Sequence, residues 1–571
     1  MTAKDDYKEF IDNSDYVAFD IYDTAVVRPF RRPTDLFRYV EKMTGREGFA
    51  SNRMVAEKKA RKRLKKEVTL NEIYSFMPEG LRDLKEKETE TEIALARKDG
   101  EFVAAHEYTR RAGKKILMVS DMYLPLDVIS RILSKLEIGY DWLYISSDRG
   151  CTKSDGALYD LIMVERGITD PRRLLMVGDN RISDCTVPRK KGIQTYRWKP
   201  LLERYCKEHS AEARFGNQGI DESVLMGADM LMWQARMGKG YWNDLGLRFG
   251  GPMALQFVLH IVDNMPEDTD RILFLSRDAY NIWRLYGEVC GRLGIEPVSS
   301  SYLHISRMFV KLFRFEDASN KDSLESVFEY LFATGRADAL GIPRSTGVAE
   351  YARIFKERRE EVLTTVSEAK ERYLQYLRSQ TKGCESILLV DTTTMMYTAQ
   401  RFLAEYLPKV AGCYYAVTRG SDLPHTTYCD RSRDRFTSSL VNFAEYCFAS
   451  GEPPLFDVDG SGNEIQTKVL PRTSRHSKQA PMILDGERQY CEFMCNLYRS
   501  PPRVSHEIVD GWCKILFSRE GGRPRPNELS GAMWAVNTQH TEFLHVLLRS
   551  KDVARIGVMR ASALVRKLGK P

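Results

Sequence analysis

Three apolar runs in this sequence stop on residues that can do chemistry. Asp20 ends the run in FDIYDT, Ser120 ends the one in LMVSDMY, and Asp179 and Asp184 follow the one in LMVGDNRISD; Lys153, in SSDRGCTKSDGALY, lies in the connection before the last of these. Asp20 is a carboxylate able to attack phosphorus or carbon and form a covalent acyl-type intermediate. Asp179 and Asp184 offer the hard oxygen donors that Mg²⁺ prefers. A divalent ion beside them would offset the repulsion between an anionic nucleophile and an anionic phosphate. The Ser120 hydroxyl can donate a hydrogen bond to a phosphoryl oxygen, and Lys153 can orient Asp20 while stabilising charge on the transferred group. One strand-end aspartate on its own reads as a helix N-cap. It is the set that points to chemistry.

These residues can act together only if the strand ends that carry them meet. Short apolar runs at 16–19, 116–119, 142–145, 174–177 and 194–196 alternate with helical periodicity. That pattern predicts a parallel α/β sheet, in which ligands gather at the carboxyl ends of the strands. Residues 32–112 are rich in Lys, Arg and Glu without a convincing strand, which predicts an α-helical cap inserted after the first strand. The basic run at 61–66 (RKRLKK) reads first as a solvated helix face and second as a lure for an anionic ligand. The expected organisation is an α/β, Rossmann-like domain over 1–198, a helical connector over 199–245, a second Rossmann-like α/β domain over 246–450, and a linker with a mainly helical C-terminal region over 451–571. The basic stretch 549–570 reads as a terminal helix with an exposed charged face.

The order Asp20, Ser120, Lys153, Asp179, Asp184 resembles the four motifs of the haloacid dehalogenase (HAD) superfamily, with a helical cap after the first. The resemblance implies a HAD core in which Asp20, Ser120 and Lys153 are catalytic. It also implies that Thr24, Ser120, Asp121 and Lys153 bind substrate, and that Asp20, the Tyr22 backbone carbonyl, Asp179 and Asp184 hold Mg²⁺. The phosphatases of that superfamily place a general acid/base aspartate two residues after the nucleophile; here that position is Tyr22. Asp23 is one residue further on, and neighbours near a strand end point in different directions. Two readings stay open. In one the chain is a Mg²⁺-dependent hydrolase of a phosphorylated small molecule, with its acid/base from Asp23, Asp121, the cap or the substrate. In the other it binds a phosphorylated ligand with little or no turnover, as a scaffold or regulator.

In the second half, RILFLSRDAYNIWRLY carries Arg277 and Asp278, and ESILLVDTTTMMYTAQRFL carries Asp391, each behind an apolar run. These are the second-domain candidates, in a domain that reads either as a Rossmann-like fold or as a degenerate HAD-like one. Nearly the full length resembles large bacterial HAD-like proteins encoded with surface-polysaccharide synthesis genes. That implies a sugar phosphate as substrate and partners from glycan assembly.

Composition narrows the classes. With 43% hydrophobic and 29% charged residues the 571-residue chain has the balance of a multi-domain globular protein. A net charge of +7 tolerates an anionic partner but lacks the dense basic face expected of a nucleic-acid binder. Eleven cysteines without a C-x-x-C pair suggest neither zinc nor disulfides. The N-terminus lacks the apolar core of a signal peptide, and no run approaches the ~18 apolar residues of a membrane span. A cytoplasmic setting is expected.

Overall fold

The first strand, β1 (Tyr16–Asp20), is buried along almost all its length. Parallel sheets covered on both faces select such continuous apolar runs rather than alternation. Its partners are β2 (Lys115–Ser120), β3 (Trp142–Ile145), β4 (Leu174–Gly178) and β5 (Gln194–Arg197). In this computed structural model, which describes residues 7–316, 321–343, 348–394, 396–431, 438–452, 455–458, 465–467 and 473–517, they form one parallel sheet in the order β3-β2-β1-β4-β5. The winding reverses between β1 and β4, so the carboxyl ends of these two strands flank the crevice where α/β sheets bind ligands. Ala18, Leu117, Val119, Tyr144, Leu158 and Met176 build the core on one face.

The cap leaves the sheet through a two-residue ribbon, Val26–Val27 against Arg97–Lys98. Between its arms run the helices Asp35–Thr44, Phe49–Leu64, Leu70–Ser75 and Leu84–Leu95. Arg53 is fully buried among them, bonded through Nε and Nη2 to Glu88 at 2.8 and 3.0 Å, with its guanidinium over the rings of Phe37 and Tyr123. The helix Gly100–Arg111 was expected in the cap, but it packs on the sheet. Its Asp99 cap and its buried Phe102, Ala105 and Thr109 turn one face inward, and the Phe102 ring lies 5.2 Å from that of Phe19.

The chain divides into two compact units, with the break between Met237 and Gly238. The stretch 199–245, expected as one connector, is helical but is shared between them: Leu201–Glu208, Ser210–Phe215 and Ile220–Gln234 belong to the first unit, Tyr241–Leu245 to the second.

The second unit holds another five-stranded parallel sheet: β6 (Arg271–Leu275), β7 (Ser300–Leu303), β8 (Ser386–Thr394), β9 (Lys409–Val417) and β10 (His425–Asp430). Its order is β10-β9-β8-β6-β7. It is Rossmann-like, as expected, yet wound differently from the first sheet, so it is not a copy of it. The charged stretch between β7 and β8 folds as helices that include Val348–Glu357 and Arg359–Gln380. Part of the expected linker is ordered structure: Leu455–Val458 pairs antiparallel with Ile465–Thr467, and a long helix runs Thr473–Tyr498. The basic stretch 549–570 lies outside the described residues.

Among the described residues one stretch, Tyr241–Asn264, is long and apolar enough to cross a membrane by length and composition, and 83% of its most apolar window is buried inside the protein. Asp244, Arg248 and several glycines interrupt it, so the sequence shows no unbroken apolar run there.

Candidate active site

Asp20 is the last residue of β1, Ser120 the last of β2, and Asp179 follows β4 directly. In the parallel register Asp20 lies opposite Val119, and Phe19 opposite Val177, so the three strands end almost level. Asp184 reaches the same rim by folding back from the wide, π-type helical turn Arg181–Thr186. Two local devices make this possible. The Asn180 side chain accepts hydrogen bonds from the backbone N–H groups of Ile182 and Ser183 at 2.9 and 3.1 Å, closing the turn. At Gly178 a Cβ would stand 2.4 Å from Asp184 Oδ2, so only glycine lets that carboxylate lie over the strand end.

The outcome is a cluster in which Asp20, Asp179 and Asp184 each offer a carboxylate oxygen within 4.8 Å of the others. Lys153 joins it, donating from Nζ to Asp20 Oδ1 at 2.5 Å and lying 2.7 Å from Asp184 Oδ1. Asp20, Asp184 and Lys153 are all buried. Burial pushes the Asp20 carboxyl up to about 8; Lys153 pulls against that, while Asp184 and Asp179 add to it. Asp179 is raised to about 6, again chiefly by burial, with Asp23 the strongest of the neighbouring charges. Burial works against the Lys153 ammonium, but Asp20 and Asp184 outweigh it and hold its pKa above the ordinary lysine value. Carboxylates this close are costly without a cation among them. The donor set, three carboxylates at one rim, fits a hard divalent ion such as Mg²⁺.

The other expected residues divide by what they touch. Thr24 is fully buried, and its hydroxyl has no hydrogen-bond partner among the described residues. Such an orphan is rare in a folded protein and suits a site that a ligand completes. Ser120 is buried at the end of β2. Asp121, expected to touch substrate, accepts the backbone N–H groups of Lys153 at 2.7 Å and Ser154 at 3.2 Å. It braces the loop that delivers the lysine.

Tyr22 stands where the acid/base aspartate would be. Its hydroxyl lies 3.5 Å from Glu92 Oε2, and the Arg28 guanidinium sits 3.9 Å from its ring centre. Arg28 in turn grips Glu92 at 2.9 and 2.7 Å. The phenol is thereby built into the root of the cap. Asp23 has a left-handed backbone, with φ of 59°. That breaks the simple alternation by which its side chain was expected to point elsewhere, and its charge acts on Asp179. Burial raises its carboxyl, partly countered by Arg28.

No protein-family model matches the chain, and no curated protein matches it. Solved structures do. A HAD family enzyme from Bacteroides thetaiotaomicron, determined with magnesium and inorganic phosphate, is 15% identical; the match covers 33% of this chain and 95% of that one, with a TM-score of 0.25. An L-2-haloacid dehalogenase is 12% identical over 33% of this chain and 86% of its own, with a TM-score of 0.27. Similarity at that level carries no functional weight beside the geometry of the chain itself.

Several residues of the site are not singled out by the motifs. Tyr159 is buried and donates its hydroxyl to the Ser183 carbonyl at 2.7 Å, pinning the turn that carries Asp184. Gly178, Arg28 and Glu92 also belong here; only the glycine leaves a trace, as the G of LMVGDN. Elsewhere in the first unit His209, Glu212 and Asp229 form a second buried cluster with donor atoms within 4.8 Å of one another, tied into the helices by the Tyr205 hydroxyl, which donates to Asp229 Oδ2 at 2.5 Å.

In the second unit Arg277 and Asp278 follow β6 and Asp391 lies within β8, on either side of the point where that sheet reverses its winding. All three are half-buried. The Thr392 hydroxyl donates to the Asp278 carbonyl at 2.5 Å, and the Thr392 N–H to Asp391 Oδ1 at 2.8 Å, so these residues close the strand ends on each other.

Proposed function

We propose that the first unit is a Mg²⁺-dependent phosphohydrolase of the HAD type, acting on a phosphorylated small molecule through an aspartyl-phosphate at Asp20. The observation that carries this reading is the convergence of Asp20, Asp179 and Asp184 with Lys153 at one buried rim. The order of motifs along the chain supports it. The metal, held by Asp20, Asp179 and Asp184, would supply positive charge against the transferred phosphoryl group.

The chain's own residues do the rest. Asp20 Oδ attacks phosphorus as the ester P–O bond breaks, and the departing alkoxide takes a proton. Asp23, three residues after Asp20 on a left-handed backbone and with its carboxyl raised by burial, is the acid this reading assigns. Ser120 and Lys153 hold the phosphoryl oxygens, and the Thr24 hydroxyl gains the partner it lacks. Water, giving a proton to the Asp23 carboxylate left by the first step, then attacks the aspartyl-phosphate; the P–O bond to Asp20 breaks and inorganic phosphate leaves, with Asp20 and Asp23 restored. A sugar phosphate from surface-glycan synthesis is the substrate implied by the resemblance of the whole chain, with glycan-assembly proteins as partners and the cytoplasm as setting.

One observation favours the second reading, that of a ligand-binding protein with little turnover. Tyr22 is fixed by Arg28 and Glu92, so no acid can occupy that place. A panel of aryl and sugar phosphates assayed with and without Mg²⁺ separates the two. The hydrolase reading expects Mg²⁺-dependent phosphate release that Asp20→Asn abolishes and Asp23→Asn lowers about 100-fold. Release that survives Asp20→Asn overturns it. No release from any member, together with Mg²⁺-dependent binding of phosphate, moves the assignment to the binding protein.

A further inference from the structure

The basic run at 61–66 connects to the site through one carboxylate. Arg61, in the last turn of the cap helix Phe49–Leu64, donates from Nη1 to Glu67 Oε2 at 2.9 Å. The other oxygen, Glu67 Oε1, accepts the Ser146 hydroxyl at 3.2 Å. Glu67 belongs to the cap and Ser146 directly follows β3, so this contact joins the cap to the sheet. The Glu67 side chain is 7% exposed and Ser146 is fully buried. A carboxylate so enclosed is costly unless its oxygens are bonded, and here both are. Neutralising Arg61 does not by itself call for this placement, because Glu57 also engages that guanidinium, at 3.2 Å.

Ser146 uses its hydroxyl twice. While it donates to Glu67, it accepts the backbone N–H of Met122 at 2.9 Å. Met122 lies two residues after Ser120, and Ser120 itself lies opposite Ile145, the residue before Ser146. Asp121, between Ser120 and Met122, accepts the N–H groups of Lys153 and Ser154. A second cap contact falls on the same loop, where the Leu70 N–H donates to the Tyr123 carbonyl at 2.9 Å. The cap segment 67–70 thus holds this loop directly at Tyr123 and through Ser146 at Met122, while Asp121 of the same loop holds the lysine.

We propose that Glu67 is a positioning residue for the phosphoryl site. Through Ser146 and Met122 it fixes the loop that follows Ser120 and, by way of Asp121, the backbone that presents Lys153. The proposal rests on the phosphohydrolase reading and deepens it, because it makes the cap part of what grips the phosphoryl group. The metal carboxylates are supported by other means: Asp20 ends its strand, and Asp184 sits on a turn closed by Asn180 and pinned by Tyr159. Loss of Glu67 should therefore separate phosphate binding from Mg²⁺ binding.

The test uses the full chain as wild type, Glu67→Ala, Glu67→Gln, Ser146→Ala and the double alanine variant. Calorimetry gives the affinity for Mg²⁺ alone and for inorganic phosphate in saturating Mg²⁺. Hydrogen exchange reads the amides of residues 121–124 and 152–155. Glu67→Ala is expected to weaken phosphate about tenfold, with Mg²⁺ alone little changed, and to speed exchange in both segments. Glu67→Gln, whose amide oxygen can still accept from Ser146, should keep most of the phosphate affinity. The double variant should bind phosphate no more weakly than the weaker single one, because both substitutions break the same line of contacts.

Unchanged exchange and phosphate affinity in Glu67→Ala, or effects of the two substitutions that multiply, overturn the proposal. So does an equal loss of Mg²⁺ and phosphate binding, the mark of a general loss of structure. A wild type that binds no phosphate with Mg²⁺ overturns the phosphate-site reading instead. Exchange in residues 121–124 of Glu67→Ala then still decides whether Glu67 holds the loop.

Discussion

Magnesium affinity should depend steeply on pH, with a slope set by the site. Burial holds Asp20 near 8 and Asp179 near 6, so below those values each carries a proton that a metal ion must displace. At pH 7 only about one Asp20 in ten is ionised, whereas about nine Asp179 in ten are. Binding at pH 7 should therefore release close to one proton, almost all of it from Asp20. Between pH 7 and pH 5 the ionised fraction of Asp20 falls about 100-fold and that of Asp179 about tenfold, so apparent affinity should drop by roughly three orders of magnitude, or about 4 kcal/mol. Above pH 8 the curve should flatten. The same shifts fix the sign for stability. A carboxyl raised above its unfolded value weakens the metal-free fold as pH rises through 4 to 8, because ionising it in place is opposed by burial. Magnesium should reverse that loss, so its effect on Tm should grow with pH. Calorimetric titration of Mg²⁺ from pH 5 to 9, in two buffers of different ionisation enthalpy, counts the protons directly. An affinity that is flat from pH 6 to 9, with no proton released at pH 7, would refute the coupling of these carboxylates to the metal.

Three substitutions probe the supports of the site. Gly178→Ala would set a methyl group 2.4 Å from Asp184 Oδ2, so it should leave the far-ultraviolet circular dichroism unchanged while removing the thermal stabilisation by Mg²⁺; retained stabilisation would show that Asp184 is not held there by the glycine. Glu92→Gln leaves the Arg28 guanidinium without its carboxylate in a pair exposed only 10% and 1%, and should cost about 3–5 kcal/mol in urea unfolding, against less than 1 kcal/mol for a surface pair. Asp121→Ala removes the acceptor for two backbone N–H groups of the Lys153 loop; kcat should fall about tenfold or more with KM little changed, and an effect on KM alone would make Asp121 a substrate contact instead.

Much of this was legible in the sequence because a buried parallel sheet writes itself plainly. Four of the five strands of the first sheet are apolar runs, Gln194–Arg197 being the exception, and the residues at or just past the ends of three of them, Asp20, Ser120 and Asp179, lie at the rim. The second sheet is less plain. Ser300–Leu303 and His425–Asp430 are edge strands, half-buried and rich in Ser, Thr and His, so hydrophobicity does not mark them. The expected end of the cap at residue 112 lies past the true one because the helix Gly100–Arg111 carries charges on its outer face like the cap helices before it, and only its inward face distinguishes it. In the site, charge and motif order point to Asp20, Lys153, Asp179 and Asp184. They do not reveal that Asp121 faces backbone, that Arg28 and Glu92 clasp Tyr22, or that Asp23 turns through a left-handed conformation. Those facts depend on contacts between segments up to 70 residues apart, as between Tyr22 and Glu92.

The different winding of the two sheets also bears on ancestry. Tandem duplication of one gene segment leaves the neighbours of each strand unchanged, however far the side chains later drift. Here the opening strand of the first sheet is central, between the second and the fourth, whereas that of the second sheet sits between the second and the third. Converting one arrangement into the other means withdrawing a strand from the middle and reinserting it elsewhere, a step that point substitutions do not take. The second sheet is therefore not a plain repeat of the first, and a chimera that exchanges equivalent strands between them should fail to fold.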